Sequence, residues 1–316
     1  MKTNILGSTG LAVSELCIGT LPMGPLQSDV PLDTGAEILL AAMENGVNFF
    51  DTAQMYRAYP YLKKACKQYG KDVIITSKCT AADYAGMKNA INEAMRELGR
   101  DYVDIFHLHA ARVDETVFEK RSGAMEALLK AKEKGSVRFI GISTHNPVVA
   151  AKAAEVPEID VVYPLINKAG MGILGGGLPK MLEAIDLVRK SGKGMYAMKA
   201  LAGGHLVGDM LDAIGYVRTI PGMHAVSVGV TTRDELNLQL KIFNGEKIES
   251  SALSSLKANK KLKIVDFLCK SCGICVKSCP NGALTMGEKI PVTDTAKCVL
   301  CGYCTPICPE FAIRLK

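Results

Sequence analysis

Long apolar runs are absent from this sequence, although 48% of its 316 residues are hydrophobic. Charged residues or glycines interrupt each apolar stretch well before the roughly 18 residues that a membrane-spanning helix requires. The N-terminal stretch MKTNILGSTGL also lacks the apolar core of a secretion signal. The sequence therefore predicts a cytoplasmic protein without a membrane span.

A strong excess of one charge is also absent, since the formal net charge is only +6. The lysines are spread along the chain except in the stretch KANKKLK at 257–263. Nucleic-acid-binding domains usually concentrate positive charge on one face, so nucleic acid is excluded as a partner. The lysine-rich stretch is interpreted either as a solvated linker or as an attraction for an acidic redox protein.

Cysteine, in contrast, is abundant and unevenly placed. The chain has 11 cysteines, and eight of them lie between positions 269 and 308. Because thiols stay reduced in the cytosol, such a cluster indicates metal binding rather than a disulfide framework. The shift in composition predicts a domain at 1–245, a linker at 246–265 and a second domain at 266–316.

The clustered cysteines form two copies of one motif, C-x2-C-x2-C-x3-C followed by proline. It is established for such runs that three thiolates bind one [4Fe–4S] cluster and the fourth binds the neighbouring cluster. The two ligand sets are then Cys269, Cys272, Cys275 and Cys308 for one cluster, and Cys298, Cys301, Cys304 and Cys279 for the other. The pairs Ala283-Leu284 and Ala312-Ile313 after the prolines predict a short strand closing each copy.

Zinc is the alternative metal, because zinc sites also use C-x2-C pairs. Four ligands suffice for zinc, however, and the third cysteine and the proline of each copy would have no role. Over residues 262–316 the chain resembles the bacterial two-cluster ferredoxins, with every position of the motif filled. The resemblance implies a small α+β ferredoxin-like domain with two [4Fe–4S] clusters.

The first 245 residues alternate between short apolar segments rich in β-branched residues and segments of helical period. Eight such alternations favour a (β/α)8 TIM barrel, an α/β fold. A doubly wound sheet would alternate as well, but no G-x-G-x-x-G motif follows the first strand. The predicted strands are LCIGT (16–20), VNFF (47–50), DVIITS (72–77), VDIFHL (103–108), RFIGIS (138–143), DVVYPL (160–165), GMYAM (194–198) and AVSVGV (225–230).

Polar side chains follow three consecutive predicted strands, at the barrel end where chemistry is expected. Asp51 and Tyr56 follow the second strand, Lys78 ends the third and His109 follows the fourth. A tyrosine hydroxyl is a weak acid near pH 7, and a cation held by a carboxylate would lower its pKa. Taken singly, each of these residues could be a helix cap, a rim residue or a core residue. Their location at one end of the barrel favours a catalytic role instead.

Residues 1–245 resemble the aldo-keto reductase superfamily in the segments NILGSTGLAVSELCIGT, GVNFFDTAQMY, ITSK, DYVDIFHLH and RFIGIS. The resemblance implies that Asp51, Tyr56, Lys78 and His109 form a catalytic tetrad. It also implies hydride transfer between a nicotinamide and a small carbonyl or alcohol. Tyr56 would then be the general acid, and His109 would orient the carbonyl oxygen.

The chain departs from the family pattern at several positions near this tetrad. Arg57 stands where the family usually has glycine, and it could introduce a cation near the substrate. His107 stands where the family has an apolar residue, and it is interpreted as a packing residue. The chain has no tryptophan, so the aromatic substrate walls common in the family are missing.

The nicotinamide contacts implied by the resemblance are Ser143 and Asn167, although Tyr163 replaces the family's usual glutamine. A hydrogen bond within the barrel rim is the alternative role for both residues.

The 2′-phosphate region of the family aligns with the loop after the eighth strand, where the candidate contacts are Gly229, Thr231 and Arg233. Glu235 adds a negative charge in this region and should repel a 2′-phosphate. The sequence therefore favours NADH over NADPH, with Arg233 as a possible compensating cation.

The two domains handle electrons differently, because a nicotinamide delivers a hydride and each cluster passes single electrons. One hypothesis is a barrel enzyme whose ferredoxin domain exchanges electrons with a redox partner through a converter such as a flavin. A second is a nicotinamide-only reductase with structural clusters. A third is an electron-transfer subunit whose barrel is a docking scaffold, although a scaffold needs no catalytic tetrad.

Overall fold

The computed structural model describes residues 1–111, 113–249, 261–279, 282–298, 304–305 and 307–315. The chain divides into two compact units. The first comprises Met1–Ala200 and Leu211–Lys247, and the second comprises Leu201–Met210 and Ile248–Lys316. The segment Leu201–Met210 lies inside the stretch that the sequence assigned to the barrel domain.

A two-stranded hairpin that the sequence did not predict opens the first unit. Its strands, β1 (Thr3–Ile5) and β2 (Ala12–Ser14), are antiparallel. Leu6, Leu11 and Val13 are buried in one apolar cluster with barrel residues such as Phe49. The hairpin therefore covers apolar side chains inside one end of the barrel.

Eight parallel strands close into a barrel, which confirms the predicted (β/α)8 fold. Each strand overlaps one of the eight apolar segments. The strands are β3 (Leu16–Gly19), β4 (Phe49–Asp51), β5 (Ile74–Cys79), β6 (Val103–Ala110), β7 (Val137–Thr144), β8 (Val161–Pro164), β9 (Gly194–Ala197) and β10 (Ala225–Gly229). Strand β10 pairs with β3 and closes the ring.

Helices follow the barrel strands and bury their apolar faces. Several end at a left-handed glycine, such as Gly70 after α2 and Gly99 after α3. Side chains cap some of the helices at their start, as Asp83 does before Tyr84 and Asn146 does before Pro147. The helices of this unit are α1 (Leu32–Glu44), α2 (Tyr59–Tyr69), α3 (Tyr84–Leu98), α4 (Val117–Lys120), α5 (Ser122–Glu133), α6 (Pro147–Glu155), α7 (Gly177–Lys190), α8 (Met210–Arg218, which begins at the last residue of the other unit's segment) and α9 (Arg233–Asn244).

The second unit contains two small antiparallel sheets. Strand β11 (Leu262–Ile264) pairs with β14 (Ile313–Leu315), and β12 (Leu284–Met286) pairs with β13 (Pro291–Thr293). Among its described residues, this unit also contains the short helix α10 (Ile274–Lys277). Strands β12 and β14 begin at Leu284 and Ile313, as predicted from the repeated pattern after each proline.

In the described part of the chain, no helix combines the length and the apolar character needed to cross a bilayer.

Candidate active site and cluster-binding unit

A buried ion pair forms the centre of the barrel's candidate site. The ammonium of Lys78 donates to both carboxylate oxygens of Asp51 at 2.7 Å and to the carbonyl of Thr52 at 2.8 Å. Asp51 is the last residue of β4 and Lys78 lies near the end of β5, so neighbouring parallel strands place the two side chains together. Burial lowers the pKa of Lys78, and the charge of Asp51 opposes that shift.

Tyr56 and His109 lie beside this ion pair. The Lys78 ammonium is 4.9 Å from the centroid of the Tyr56 ring. The rings of Tyr56 and His109 meet edge to face, with centroids 6.3 Å apart. The structure therefore brings together all four residues of the predicted tetrad.

His109 is held as a neutral imidazole. Burial, together with the positive charges of Lys78, Arg121 and Lys199, lowers its pKa to about 3. At neutral pH it can donate or accept a hydrogen bond, but it adds no charge to the site.

A hydrogen-bonded network inside the barrel supports Asp51, and the sequence did not predict it. Thr76 donates to Asp51 Oδ1 at 2.8 Å, and the Tyr196 hydroxyl donates to the same oxygen at 3.2 Å. Tyr163 donates to Oδ2 at 3.4 Å and stacks on Tyr196, with ring centroids 3.9 Å apart. The carboxylate is thus fully supplied with donors, which a buried charge requires.

His107 belongs to this network as well as to the packed interior. It is fully buried, and its Nε2 lies 2.8 Å from the Tyr196 hydroxyl. The interpretation of His107 as a packing residue is therefore incomplete, because its ring also fixes the hydroxyl that contacts Asp51. The sequence shows polar residues inside these apolar strand segments, but it does not show which of them face the barrel interior.

The four cysteines of the first ligand set surround one cavity in the second unit. Cys269, Cys272, Cys275 and Cys308 all line it. Cys272 is exposed, whereas Cys275 and Cys308 are buried. Nearby Cys308 and Cys269 thiols, after burial itself, contribute to the raised pKa of Cys275. This arrangement fits a [4Fe–4S] cluster, which needs four thiolates converging on one space.

The second ligand set is described only in part, since Cys301 lies outside the described residues. Cys304 is buried in the apolar cluster of this unit, and Cys279 is packed against the same cluster. Cys298 is half-buried.

Backbone amides donate to cysteine sulfurs at equivalent places in the two repeats. The Ala283 amide donates to Cys279 Sγ and the Ala312 amide to Cys308 Sγ, both at 3.3 Å. Such bonds stabilise a thiolate and influence the reduction potential of the cluster it holds.

A model of the aldo/keto reductase family matches residues 15–263, and a model of a 4Fe-4S dicluster domain matches residues 268–312. The chain belongs to the aldo/keto reductase family. It is therefore an oxidoreductase of that family with a C-terminal dicluster ferredoxin domain.

Two curated relatives align with this aldo/keto reductase over most of its length. L-galactose dehydrogenase of Arabidopsis thaliana is 26% identical over 280 residues, covering 84% of this chain and 83% of that protein. L-glyceraldehyde 3-phosphate reductase of Escherichia coli strain K12 is 25% identical over 234 residues, covering 68% of this chain and 65% of that protein.

Solved structures show the same fold. The holo form of an aldo-keto reductase from Bacillus halodurans has a TM-score of 0.65 and 19% sequence identity, and the match covers 82% of this chain and 96% of that one.

The nicotinamide-contact candidates of this aldo/keto reductase differ in their surroundings. Ser143 Oγ is buried, and none of the described residues gives it a hydrogen bond. A buried hydroxyl of this kind fits a ligand amide as its missing partner. Asn167 instead accepts from the amides of Ala169 and Met171 and donates to the Met171 carbonyl. Its side chain therefore holds its own loop.

The loop after β10 is shaped by Glu235. Its carboxylate accepts from the amide of Thr231 at 2.8 Å and from the Thr231 hydroxyl at 2.9 Å. Thr232 caps α9 by accepting from the Glu235 amide. A carboxylate thus already occupies the first turn of this helix, where negative charge is favoured.

Two further candidates of this loop have different local roles. A Cβ at Gly229 would lie 2.3 Å from Pro22 Cγ, so close packing explains the glycine. Arg233 is exposed at the first position of α9.

Proposed function

We propose that this protein interconverts a small carbonyl and its alcohol by hydride transfer with a nicotinamide cofactor, and that its ferredoxin domain exchanges electrons with a redox partner. The observation that supports the catalytic part best is the buried Lys78, bonded to Asp51 on one side and lying beside Tyr56 on the other. A buried ion pair is weak evidence for stability, so a role in tuning a neighbouring acid is the better explanation.

Tyr56 acts as the general acid in the reducing direction. When bound, the nicotinamide supplies or accepts the hydride. Lys78 favours the tyrosinate that forms as the proton leaves, because a cation near a phenol lowers its pKa. Asp51 keeps the lysine in position and compensates its charge in the buried site.

His109 orients the carbonyl oxygen as a neutral hydrogen-bonding group. Its low pKa means that it stays unprotonated across the neutral range and does not compete with Tyr56 as the acid. Polarisation of the carbonyl by a neutral imidazole avoids a further positive charge beside Lys78.

NADH is the nicotinamide that the site favours. The carboxylate of Glu235 lies at the start of α9, in the region that the family uses for the 2′-phosphate of NADPH. Its negative charge opposes a phosphate there. Ser143 is the candidate contact for the nicotinamide amide.

The ferredoxin domain would hold two [4Fe–4S] clusters, with Cys269, Cys272, Cys275 and Cys308 as the ligands of the first. The second would use Cys298, Cys301, Cys304 and Cys279. Clusters supply one-electron transfer, so exchange with hydride chemistry requires a converter such as a flavin. The free thiols suit a reducing, cytoplasmic compartment.

An anaerobic titration tests the electron-exchange part of this proposal. Protein with intact clusters is mixed with NADH, NADPH or reduced ferredoxin, and the cluster absorbance is followed. Bleaching by ferredoxin supports exchange with an external partner, and bleaching by a nucleotide alone indicates an internal electron path. Clusters that none of the three reagents reduces would favour a structural role for them.

Tyr56→Phe tests the catalytic part. The variant should fold and assemble its clusters, yet reduce small aldehydes with NADH roughly 10²-fold more slowly, the usual scale for losing a positioned general acid. Lys78→Met should act in the same direction, and the double variant should be little worse than either single one. Full activity of Tyr56→Phe would show that Tyr56 is not the general acid, whereas a wild type that reduces no carbonyl would support the docking-scaffold hypothesis.

A further inference from the structure

Gln54 begins the turn that carries Tyr56. A short 3₁₀ helix spans Gln54–Tyr56, just after strand β4, and Tyr56 is its last residue. The Tyr56 amide donates to the carbonyl of Ala53 at 3.0 Å, and the Arg57 amide donates to the carbonyl of Gln54 at 3.3 Å. Both bonds are local to the turn, so they do not fix its position relative to the neighbouring strands.

The side chain of Gln54 joins this turn to two other elements. The Cys79 thiol donates to Gln54 Oε1 at 2.9 Å, and Gln54 Nε2 donates to Glu93 Oε2 at 2.6 Å. Cys79 is the last residue of β5, the strand of Lys78, and Glu93 lies on α3, the helix that follows this strand. The side chains of Gln54, Cys79 and Glu93 therefore form a clamp between the Tyr56 turn, β5 and α3.

The three side chains of the clamp match one another as donors and acceptors. An ionised carboxylate only accepts, so Gln54 presents its amide nitrogen to Glu93 and its oxygen to the thiol. Cys79 in turn accepts from the amide of Ala81 at 3.3 Å. The Cys79 side chain is buried, and burial raises the pKa of its thiol, which therefore stays a neutral donor.

The clamp lies directly beside Tyr56 and Lys78. Cys79 follows Lys78 in β5, and the Lys78 ammonium is 4.9 Å from the centroid of the Tyr56 ring. Gln54 precedes Tyr56 by two residues in the same turn. The clamp thus connects the backbone segment of the proposed acid with the backbone segment of the cation that acts on it.

The backbone of this turn needs support at Arg57. Arg57 has φ 54° and ψ 34°, in the left-handed region, where a residue with a Cβ is strained. A strained backbone persists only when the surrounding contacts hold it. Gln54, three residues earlier, supplies two such contacts through its side chain.

We propose that Gln54 is a positioning residue of the reaction: through Cys79 and Glu93 it holds the Tyr56 hydroxyl where it can transfer its proton. This inference rests on the proposed function, in which Tyr56 is the general acid. A carboxamide does not exchange a proton near neutral pH, so Gln54 acts through Tyr56 rather than on the substrate. The contribution of a general acid depends on its geometry, which gives the clamp its effect on rate.

Gln54→Met tests the inference on the full-length holoenzyme, because methionine has a similar length and makes neither hydrogen bond. The kcat for small aldehydes with NADH should fall about tenfold or more, while the KM of NADH stays unchanged. In alcohol oxidation, the pH of the half-maximal rate should rise, since Tyr56 would lie further from the Lys78 ammonium. Unchanged kcat and an unchanged pH profile would overturn the inference and leave the proposed function intact.

The Tyr56→Phe background separates positioning from a general loss of structure. If Gln54 acts through the Tyr56 hydroxyl, Gln54→Met should add little to the loss of activity already present in Tyr56→Phe. A further loss in that background as large as in the wild type would show that Gln54 only stabilises the fold, and the inference would be wrong.

Conservative variants test the two hydrogen bonds. Cys79→Ser keeps a donor for Gln54, and Glu93→Gln keeps an acceptor while removing the charge, so both should retain most of the kcat. Cys79→Ala and Glu93→Ala should lower it as Gln54→Met does. Cys66→Ala is the matched control, because Cys66 is half-buried on α2 and no described residue forms a hydrogen bond with its thiol. Equal losses in Cys79→Ser and Cys79→Ala would contradict a role for the hydrogen bond.

A titration of Tyr56 tests the clamp without any turnover. If the wild type reduced no carbonyl, the proposed function would fail, but the pKa of the Tyr56 hydroxyl could still be measured by NMR. Tyrosine is isotopically labelled at Cζ, and the Tyr56 signal is the one missing in Tyr56→Phe. Gln54→Met should raise this pKa, because the Lys78 ammonium would act on the phenol less strongly. Identical titrations of wild type and Gln54→Met would overturn the inference.

Discussion

The hydroxyl of Tyr196 illustrates how much of this site depends on single atoms. It lies 3.2 Å from Asp51 Oδ1, 3.0 Å from Thr76 Oγ1 and 2.8 Å from His107 Nε2, and the residue is fully buried. Its single proton goes to Asp51, and a lone pair can accept from His107 Nε2. The Thr76 proton also goes to Asp51, so the contact between Thr76 and Tyr196 is not a hydrogen bond in this arrangement. The Tyr196 hydroxyl therefore fixes the orientation of Asp51, which in turn holds Lys78.

Tyr196→Phe should accordingly lower both stability and turnover. The ring can keep its stacking on Tyr163, but Asp51 and His107 each lose a partner in a dry environment. Leaving buried polar groups unsatisfied costs about 1–3 kcal/mol in the free energy of unfolding, measured by urea denaturation of the barrel's circular dichroism. The pH profile of turnover should shift as well, because the Lys78 charge is held less firmly.

Tyr163→Phe is the matched control for that change. The Tyr163 hydroxyl lies 3.4 Å from Asp51 Oδ2, at the limit of a hydrogen bond. Its loss should therefore cost less than the loss of the Tyr196 hydroxyl. Equal effects of the two substitutions would contradict the special role of Tyr196.

His107 should make the barrel sensitive to acid. Burial first, then the charge of Lys78, lowers its pKa well below the usual value of about 6.5. The unfolded chain therefore takes up a proton below about pH 6.5 that the folded chain does not. Stability should be fully present above that pH and fall as the pH decreases toward the native pKa.

His107→Gln tests this pH dependence, because glutamine can still bond to Tyr196 but does not titrate. Below pH 6.5, the free energy of unfolding of the wild type should fall more steeply than that of the variant. One proton corresponds to about 1.4 kcal/mol per pH unit. Parallel slopes between pH 6.5 and 5 would mean that His107 is protonated in the folded protein.

Some residues of the candidate site could be predicted from the sequence, and others could not. Asp51, Lys78 and His109 could be recognised because each lies where an apolar strand segment gives way to polar residues. Thr76, Tyr163 and Tyr196 could not, because each is a good strand former inside an apolar segment. Whether such a residue faces the barrel interior depends on the closure of the ring, which the local sequence does not specify.

Two side chains accept hydrogen bonds at the start of helix α9, the Thr232 hydroxyl and the Glu235 carboxylate. Glu235 can be replaced without losing the hydrogen bonds that shape this turn. Glu235→Gln keeps an oxygen for the Thr231 amide and hydroxyl but removes the negative charge. The ratio of kcat/KM for NADPH to that for NADH should rise roughly three- to tenfold, as expected for a single charge near a phosphate. If this ratio of kcat/KM values did not change, the 2′ position of the bound cofactor would not lie near Glu235.

Among the elements, the barrel strands were predictable and the N-terminal hairpin was not. Barrel strands are buried on both faces, so their sequences are nearly continuous runs of apolar residues. The hairpin strands TNI and AVS have three residues each and alternate with polar residues, which is too short for a periodicity. Their pairing depends on the apolar surface at the barrel end that Leu6 and Val13 cover.

At the scale of the whole molecule, the two units differ in what holds them together. The barrel unit has a large apolar interior with several aromatic side chains, whereas the apolar cluster of the ferredoxin unit is small and consists of cysteines and aliphatic residues in about equal number. A domain of that size with so small a core usually depends on bound metal for its stability. Removal of iron by a chelator should therefore unfold the ferredoxin unit and leave the barrel's circular dichroism largely unchanged.

If cysteines from both repeats bind the same cluster, the two repeats of the ferredoxin unit fold as a single unit. Cys308 follows Cys269 by 39 positions in sequence, yet both line one cavity with Cys272 and Cys275. If each repeat bound its own cluster, Cys308 would have no reason to lie with the first three cysteines. A cluster bound by these four cysteines would close a long loop, so that loss of one ligand would affect distant parts of the unit.

Cys308→Ser should therefore damage the cluster of the first repeat, although the substitution lies in the second. Serine is a poor ligand for iron, so the variant should hold about four irons per chain where the wild type holds about eight. Electron paramagnetic resonance of the reduced protein should lose one of two signals. In Cys269→Ser the same signal should disappear, because both residues would bind one cluster. Loss of different signals in the two variants would show that each repeat completes its own cluster and that the cavity shared by these cysteines is not a ligand set.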